Sequence, residues 1–166
     1  SYFRRWHGEK EHGGTLLVHK ATHHYDVLNY WMDSEPEEVF AYGSLDYYGQ
    51  KNSKFNSTNC RPCPHKSKCN FYWDITESQS SMDLYVANEK HDGYLRDGCI
   101  YRKEIDIYDT MAVQYKYANG VKVNYSLTAC SPYEGYRLAV NGTKGRLDAW
   151  IKSSMPTGVP PYQEIT

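Results

Sequence analysis

The chain has no surplus of positive charge: 19 Lys and Arg stand against 20 Asp and Glu in 166 residues, a formal net charge of −1. The charges are scattered rather than blocked, so there is no basic field for a phosphate backbone and no nucleic-acid partner is expected. No apolar run reaches the roughly 18 residues that a membrane-spanning helix needs. The N-terminus, Ser1-Tyr2-Phe3-Arg4, has neither a Met nor a hydrophobic signal core, and the chain reads as a fragment of a longer protein. None of these features fixes the compartment. Cysteine is scarce and odd in number, at 5, which excludes complete pairing within the chain and any inference of secretion from the count.

Tyrosine is abundant, at 17 residues beside 4 Trp and 4 Phe. Aromatics favour pleated, half-buried strands and also suit faces that stack on sugars. A chain of this length suits one domain that buries about two thirds of its unfolded surface, so residues 1–166 are expected to form a single domain.

Apolar residues at 17, 21, 25, 28, 31 and 32 have helical spacing, with Gly13-Gly14 before them and Asp33-Ser34-Glu35-Pro36 as a stop. Glu38 to Tyr48 reads as a strand. Residues 49–82 are polar and carry three cysteines, an inserted loop long enough to require a function or a clamp. Alternation over Met111–Tyr117 and Val121–Thr128, joined through Ala118-Asn119-Gly120, predicts a β-hairpin. Tyr136–Val140 and Arg146–Ile151 predict two further strands, joined through Asn141-Gly142-Thr143-Lys144-Gly145. The expected fold is α+β: one antiparallel sheet of four or more strands with helices on one face, the other face being suited to oligomerisation.

The stretch from Gly13-Gly14 through Asp26, then Glu38-Val39-Phe40-Ala41, Val113-x-Tyr115-x-x-x-Asn119-Gly120, and Gly142-Thr143-Lys144-Gly145-Arg146-Leu147 resembles the C-terminal domain of Gfo/Idh/MocA oxidoreductases. Tyr2-Phe3-Arg4-Arg5-Trp6-His7 and Tyr133-Glu134-Gly135-Tyr136-Arg137 resemble a bacterial subgroup. The resemblance implies a separate N-terminal domain that binds NAD or NADP. This chain has no Gly-x-Gly-x-x-Gly to hold a dinucleotide at a helix N-terminus, so the fragment alone is expected to be inactive. The resemblance also implies an active-site helix in which a His stands four residues after an Asp and three before another. His23 and Asp26 fit the last two places, while His19 stands where the first Asp is expected.

Residues four apart share a helix face, so His19 and His23 lie together, with Asp26 roughly alongside. Oxidation of a carbinol needs a base for the hydroxyl proton, and an imidazole near neutrality suits that work. His23 is the candidate acid/base, Lys20 and His19 the candidates to orient or polarise the oxygen, and Asp26 and His24 supporting residues. Arg5, Trp6 and Tyr136 are candidate sugar contacts. The plainer reading makes the histidines polar residues on a helix whose other face carries Leu17, Ala21, Leu28 and Trp31.

Cys60-Arg-Pro-Cys63-Pro-His65-Lys-Ser-Lys-Cys69, with Cys99 further on, is compatible with a zinc clamp or with disulfides, and less with free thiols or an iron–sulfur cluster. Cys130 is expected to be a small buried hydrophobe at the end of a strand. The function expected is the substrate-binding half of an NAD(P)-dependent oxidoreductase acting on a sugar, inositol or related polyol, assembled as a homo-oligomer through its sheet. The alternatives are an NAD-dependent glycosidase and a non-catalytic dimerisation scaffold.

Overall fold

The computed structural model describes residues 2–55, 57–154 and 162–165. The chain forms two compact units, Ser1–Thr128 and Ala129–Thr166.

In the first unit, short helix α1 (Lys10–Gly13) leads through Gly14 into a π-helical turn, Leu17–Ala21, and then into α2 (Thr22–Met32). Asp33 ends α2 in the left-handed region, at φ 45°. β1 (Pro36–Ser44) follows, then a long irregular stretch, then β2 (Thr110–Tyr117) and β3 (Lys122–Thr128). The three strands make an antiparallel sheet in the order β1-β2-β3, with Ala41 opposite Val113 and Val113 opposite Tyr125. The period-2 pattern of β2 puts Val113, Tyr115 and Tyr117 on one face. There they meet Leu17, Tyr25, Leu28 and Met32 from the helix and Val123 and Tyr125 from β3. Each such side chain removed from water contributes about 1.5–3 kcal/mol. Tyr117 is fully buried, and its hydroxyl donates to Asn29 Oδ1 at 2.7 Å. The hairpin predicted at Asn119-Gly120 forms, with Gly120 at φ 87°. Its Asn119 side-chain amide donates to Met32 O at 3.0 Å, tying the turn to the end of α2.

The helical spacing is correct except at Trp31, which is 52% exposed. Tyr25, Leu28 and Met32 carry the buried stripe of α2. Phe40 and Tyr42, 57% and 71% exposed, lie on the sheet face turned away from α2 and meet edge to face at 4.9 Å. β1 is shorter than the expected strand, because Asp109 captures the chain after Ser44. Its buried carboxylate accepts the backbone N–H groups of Asp46, Tyr47 and Tyr48 at 3.0, 2.8 and 2.8 Å. This carboxylate pins both ends of the irregular stretch 45–109, which holds 3₁₀ turns and the short helices α3 (Gln79–Leu84) and α4 (Glu89–Asp92). The stretch therefore extends well beyond the polar residues 49–82, and it has a core of its own that includes Ile75, Ile100, Ile105 and Ile107.

The second unit is an antiparallel sheet of β4 (Glu134–Gly142), β5 (Gly145–Ser154) and β6 (Tyr162–Ile165), in that order. Thr143-Lys144 make the turn between the paired Gly142 and Gly145. Arg137 and Lys152 stand over the Trp150 ring at 4.0 and 3.8 Å. The expected α+β class holds, but the antiparallel strands form two three-stranded sheets where one sheet was expected. Alternation along a strand reports which face is covered and not which strand lies alongside. Cys130 is also corrected: β3 ends at Thr128, and Cys130 sits half-exposed in the turn that follows.

Candidate active site

A π-turn is uncommon and often marks a functional position. Here it carries His19 and Lys20, both exposed. The Thr22 hydroxyl donates to the Leu17 and Val18 carbonyls, which the wider turn leaves within reach.

Three rings gather around this turn. The Tyr2 hydroxyl lies 3.0 Å from His19 Nδ1, and the His7 ring is 4.6 Å from that of His19. Trp6 stacks on His7 at 3.6 Å between ring centroids. Burial pushes the Tyr2 phenol above its ordinary range, so it keeps its proton beside Nδ1. The bond occupies His19 Nδ1 and leaves Nε2 for another partner. His7 is only 8% exposed. Burial first, and then the positive charges of His19, Arg5, Lys20 and Arg96, hold its imidazole below the usual range. His7 Nδ1, Arg5 Nε, and Arg96 Nε and Nη1 are buried without hydrogen-bond partners among the described residues. Arg96 lies 5.4 Å from the Trp73 ring and 5.5 Å from that of Tyr85, a cation–π arrangement.

His23 and Asp26 continue along the exposed side of α2. His24 turns the other way: its Nδ1 is 2.9 Å from the Tyr125 hydroxyl, whose pKa is pushed up to about 12, chiefly by burial. Trp6 and Arg5 both lie by the cluster, Trp6 exposed and Arg5 partly buried. Arg4, beside them in sequence, is buried and faces the irregular stretch. Tyr136 is exposed on β4, opposite Ile151, in the second unit.

The family model described as "Oxidoreductase family, C-terminal alpha/beta domain" (Gfo/Idh/MocA) matches residues 1–159. The chain belongs to this family. A similar protein from Bacillus subtilis (strain 168), "Putative oxidoreductase YteT", is 43% identical over 162 residues, covering 90% of this chain and 38% of that protein. The chain thus spans well under half the length of the curated relative it matches. The chain accordingly carries the family's C-terminal α/β domain. No helix among the described residues is long and apolar enough to cross a membrane.

The sequence pointed to His19, Lys20, His23 and Asp26 but missed Tyr2, His7 and Arg96 as neighbours of the histidine turn. His7 lies twelve positions before His19 in the sequence, and no periodicity relates residues across Gly13-Gly14. Cys60, Cys63, Cys69 and Cys99 line one small cavity. All four are free of disulfides, and no group of three or more His, Cys, Asp or Glu among the described residues is set to hold a metal.

Proposed function

We propose that this chain is the substrate-binding half of an NAD(P)-dependent oxidoreductase acting on a CH–OH group of a sugar, inositol or related polyol. The observation that carries this reading is the division of labour on one helix. Leu17, Tyr25, Leu28 and Met32 pack on the sheet, while His19, Lys20, His23 and Asp26 are exposed. Packing explains none of these four ionisable residues, and such clusters associate with active sites.

In this reading the nicotinamide, held by a nucleotide-binding domain elsewhere in the protein, supplies the hydride acceptor. The residues of this chain handle the proton and the alignment. His23 takes the hydroxyl proton, histidine being the side chain that most often serves as a general base. His19 Nε2–H, fixed by Tyr2 at Nδ1, and Lys20 donate to substrate oxygens, and Asp26 steadies the His23 ring. Arg5, Lys20 and Arg96, with unpartnered nitrogen atoms on Arg5, His7 and Arg96, favour a sugar that carries an acidic group. Trp6 supplies a stacking face. The exposed Phe40 and Tyr42 support association with a second copy through the sheet.

The test is reduced-nicotinamide absorbance with the full-length protein and its His23→Ala variant, against neutral sugars, inositols, uronic acids and aryl glycosides. Accumulation of reduced cofactor that His23→Ala abolishes is expected. Aglycone release without net reduction would point to a glycosidase, and undiminished activity in the variant would remove His23 from the site.

A further inference from the structure

The four cysteines of the irregular stretch reach one place by three routes. Cys60-Arg61-Pro62-Cys63 turns tightly, the Cys63 N–H donating to the Cys60 carbonyl at 3.0 Å. The 3₁₀ turn Lys66–Lys68 delivers Cys69. Cys99 arrives from forty residues away by an antiparallel bridge between Asn59 and Gly98. That bridge is flanked by Cys60 N–H to Asp97 O and Cys99 N–H to Thr58 O, both 2.9 Å. The cavity they line measures about 10 Å³, room for roughly one water-sized sphere.

A second observation concerns charge. Arg4 is 8% exposed and pairs with no carboxylate among the described residues. Its Nη1 donates to Cys60 Sγ at 3.0 Å and to Gly98 O at 3.2 Å, and its Nη2 donates to Phe71 O. The Tyr101 N–H points at Cys99 Sγ, 3.4 Å away. A buried guanidinium needs a counter-charge, and a neutral thiol is a weak acceptor. Two donors, one of them a full positive charge, are thus directed at sulfurs that line the cavity.

We propose that Cys60, Cys63, Cys69 and Cys99 bind one Zn²⁺ as a tetrathiolate that clamps the irregular stretch. Four thiols lose their protons to solvent as four Zn–S bonds form, leaving a net charge of −2 that Arg4 partly neutralises. Thiolates select soft or borderline metals, and the Cys60–Cys69 spacing departs from the ferredoxin patterns that would hold an iron–sulfur cluster. The sulfurs surround the cavity without forming a closed ligand set. The backbone bonds above hold Cys60, Cys63 and Cys99, while Cys69 is half-exposed. The clamp reaches the active site through Arg4, because that residue ties the strap carrying Tyr2 and His7 to Cys60. Gly98 lets the strap pass: a methyl group at this position would collide with the Arg4 carbonyl.

The experiment is elemental analysis of the full-length protein, purified without a metal-affinity tag, beside Cys69→Ser, Cys69→His and Cys130→Ser. One zinc per chain is expected in the parent, in Cys130→Ser and in Cys69→His, with loss of stoichiometric zinc in Cys69→Ser. Circular dichroism establishes that Cys69→Ser is folded. If it is not, cobalt(II) substitution of the parent decides: tetrahedral thiolate bands support the site and an octahedral spectrum overturns it. Zinc retained in folded Cys69→Ser, a parent without metal whose cysteines are free or joined as disulfides, or bound iron with a visible chromophore would each overturn it. These readouts are independent of catalytic activity, so failure of the metal site and failure of the oxidoreductase assignment are distinguishable.

Discussion

The Tyr2 hydroxyl stands 3.0 Å from Nδ1 of His19, across seventeen positions of sequence. This bond occupies Nδ1 and leaves Nε2 for another partner. Replacing Tyr2 with Phe removes one hydrogen bond, worth about 0.5–1.5 kcal/mol. A drop of roughly 2- to 10-fold in kcat/KM of the full-length enzyme is expected. Nitrogen chemical shifts of His19 would show mixed tautomers in the variant, which a loss of packing alone would not produce.

His23 and His24 are neighbours, both exposed, but His24 Nδ1 lies 2.9 Å from the Tyr125 hydroxyl on β3. His23→Ala is expected to lower kcat by about 10²- to 10⁴-fold while leaving the urea midpoint nearly unchanged, as surface substitutions do. His24→Ala should show the reverse, with about 1 kcal/mol of stability lost and most of the activity kept. Activity and denaturation measured side by side on the two variants separate the roles.

His7 makes stability depend on pH. Its folded-state pKa is lowered by burial and by the surrounding cations, so between that value and the unfolded pKa of about 6.5 the unfolded chain binds more protons. Stability contributed by neutral His7 is present above about pH 6.5 and is lost as the pH falls through that window. Denaturation midpoints should therefore fall on acidification, and less so in His7→Gln. An equal fall in both proteins would place the pH dependence elsewhere.

Asp109 holds three backbone N–H groups with one buried carboxylate. Asp109→Ala strands those donors and should cost about 3 kcal/mol or more, whereas Asp109→Asn keeps an acceptor and should cost less. Urea unfolding of the full-length protein measures both, and a loss under about 1 kcal/mol in Asp109→Ala would show that water replaces the carboxylate.

Much of the first unit was legible because its signals are local. The hairpin through Asn119-Gly120 follows from period-2 alternation and a residue that accepts positive φ. The helix stop at Asp33, and in the second unit the Gly142–Gly145 turn, follow from similar short-range chemistry. Trp31 misled because positions 31 and 32 both suit a helical stripe three or four residues after Leu28, and it is Met32 that packs on the sheet. Residues 83–109 gave no periodic pattern because their order comes from buried carboxylates and arginines, such as Asp97, which accepts from Arg61.

The sequence by itself determined the α+β class, the hairpins, the histidine-bearing helix and the family, since each rests on residue types at short, regular separations. The tertiary structure alone decided that the strands divide into two sheets. It also brought Tyr2 and His7 to His19, and Arg4 to Cys60, which lie 17, 12 and 56 positions apart. The physical reason is that backbone periodicity specifies which face a residue occupies, while these meetings depend on how a long irregular segment closes on itself, where no repeat constrains the partner.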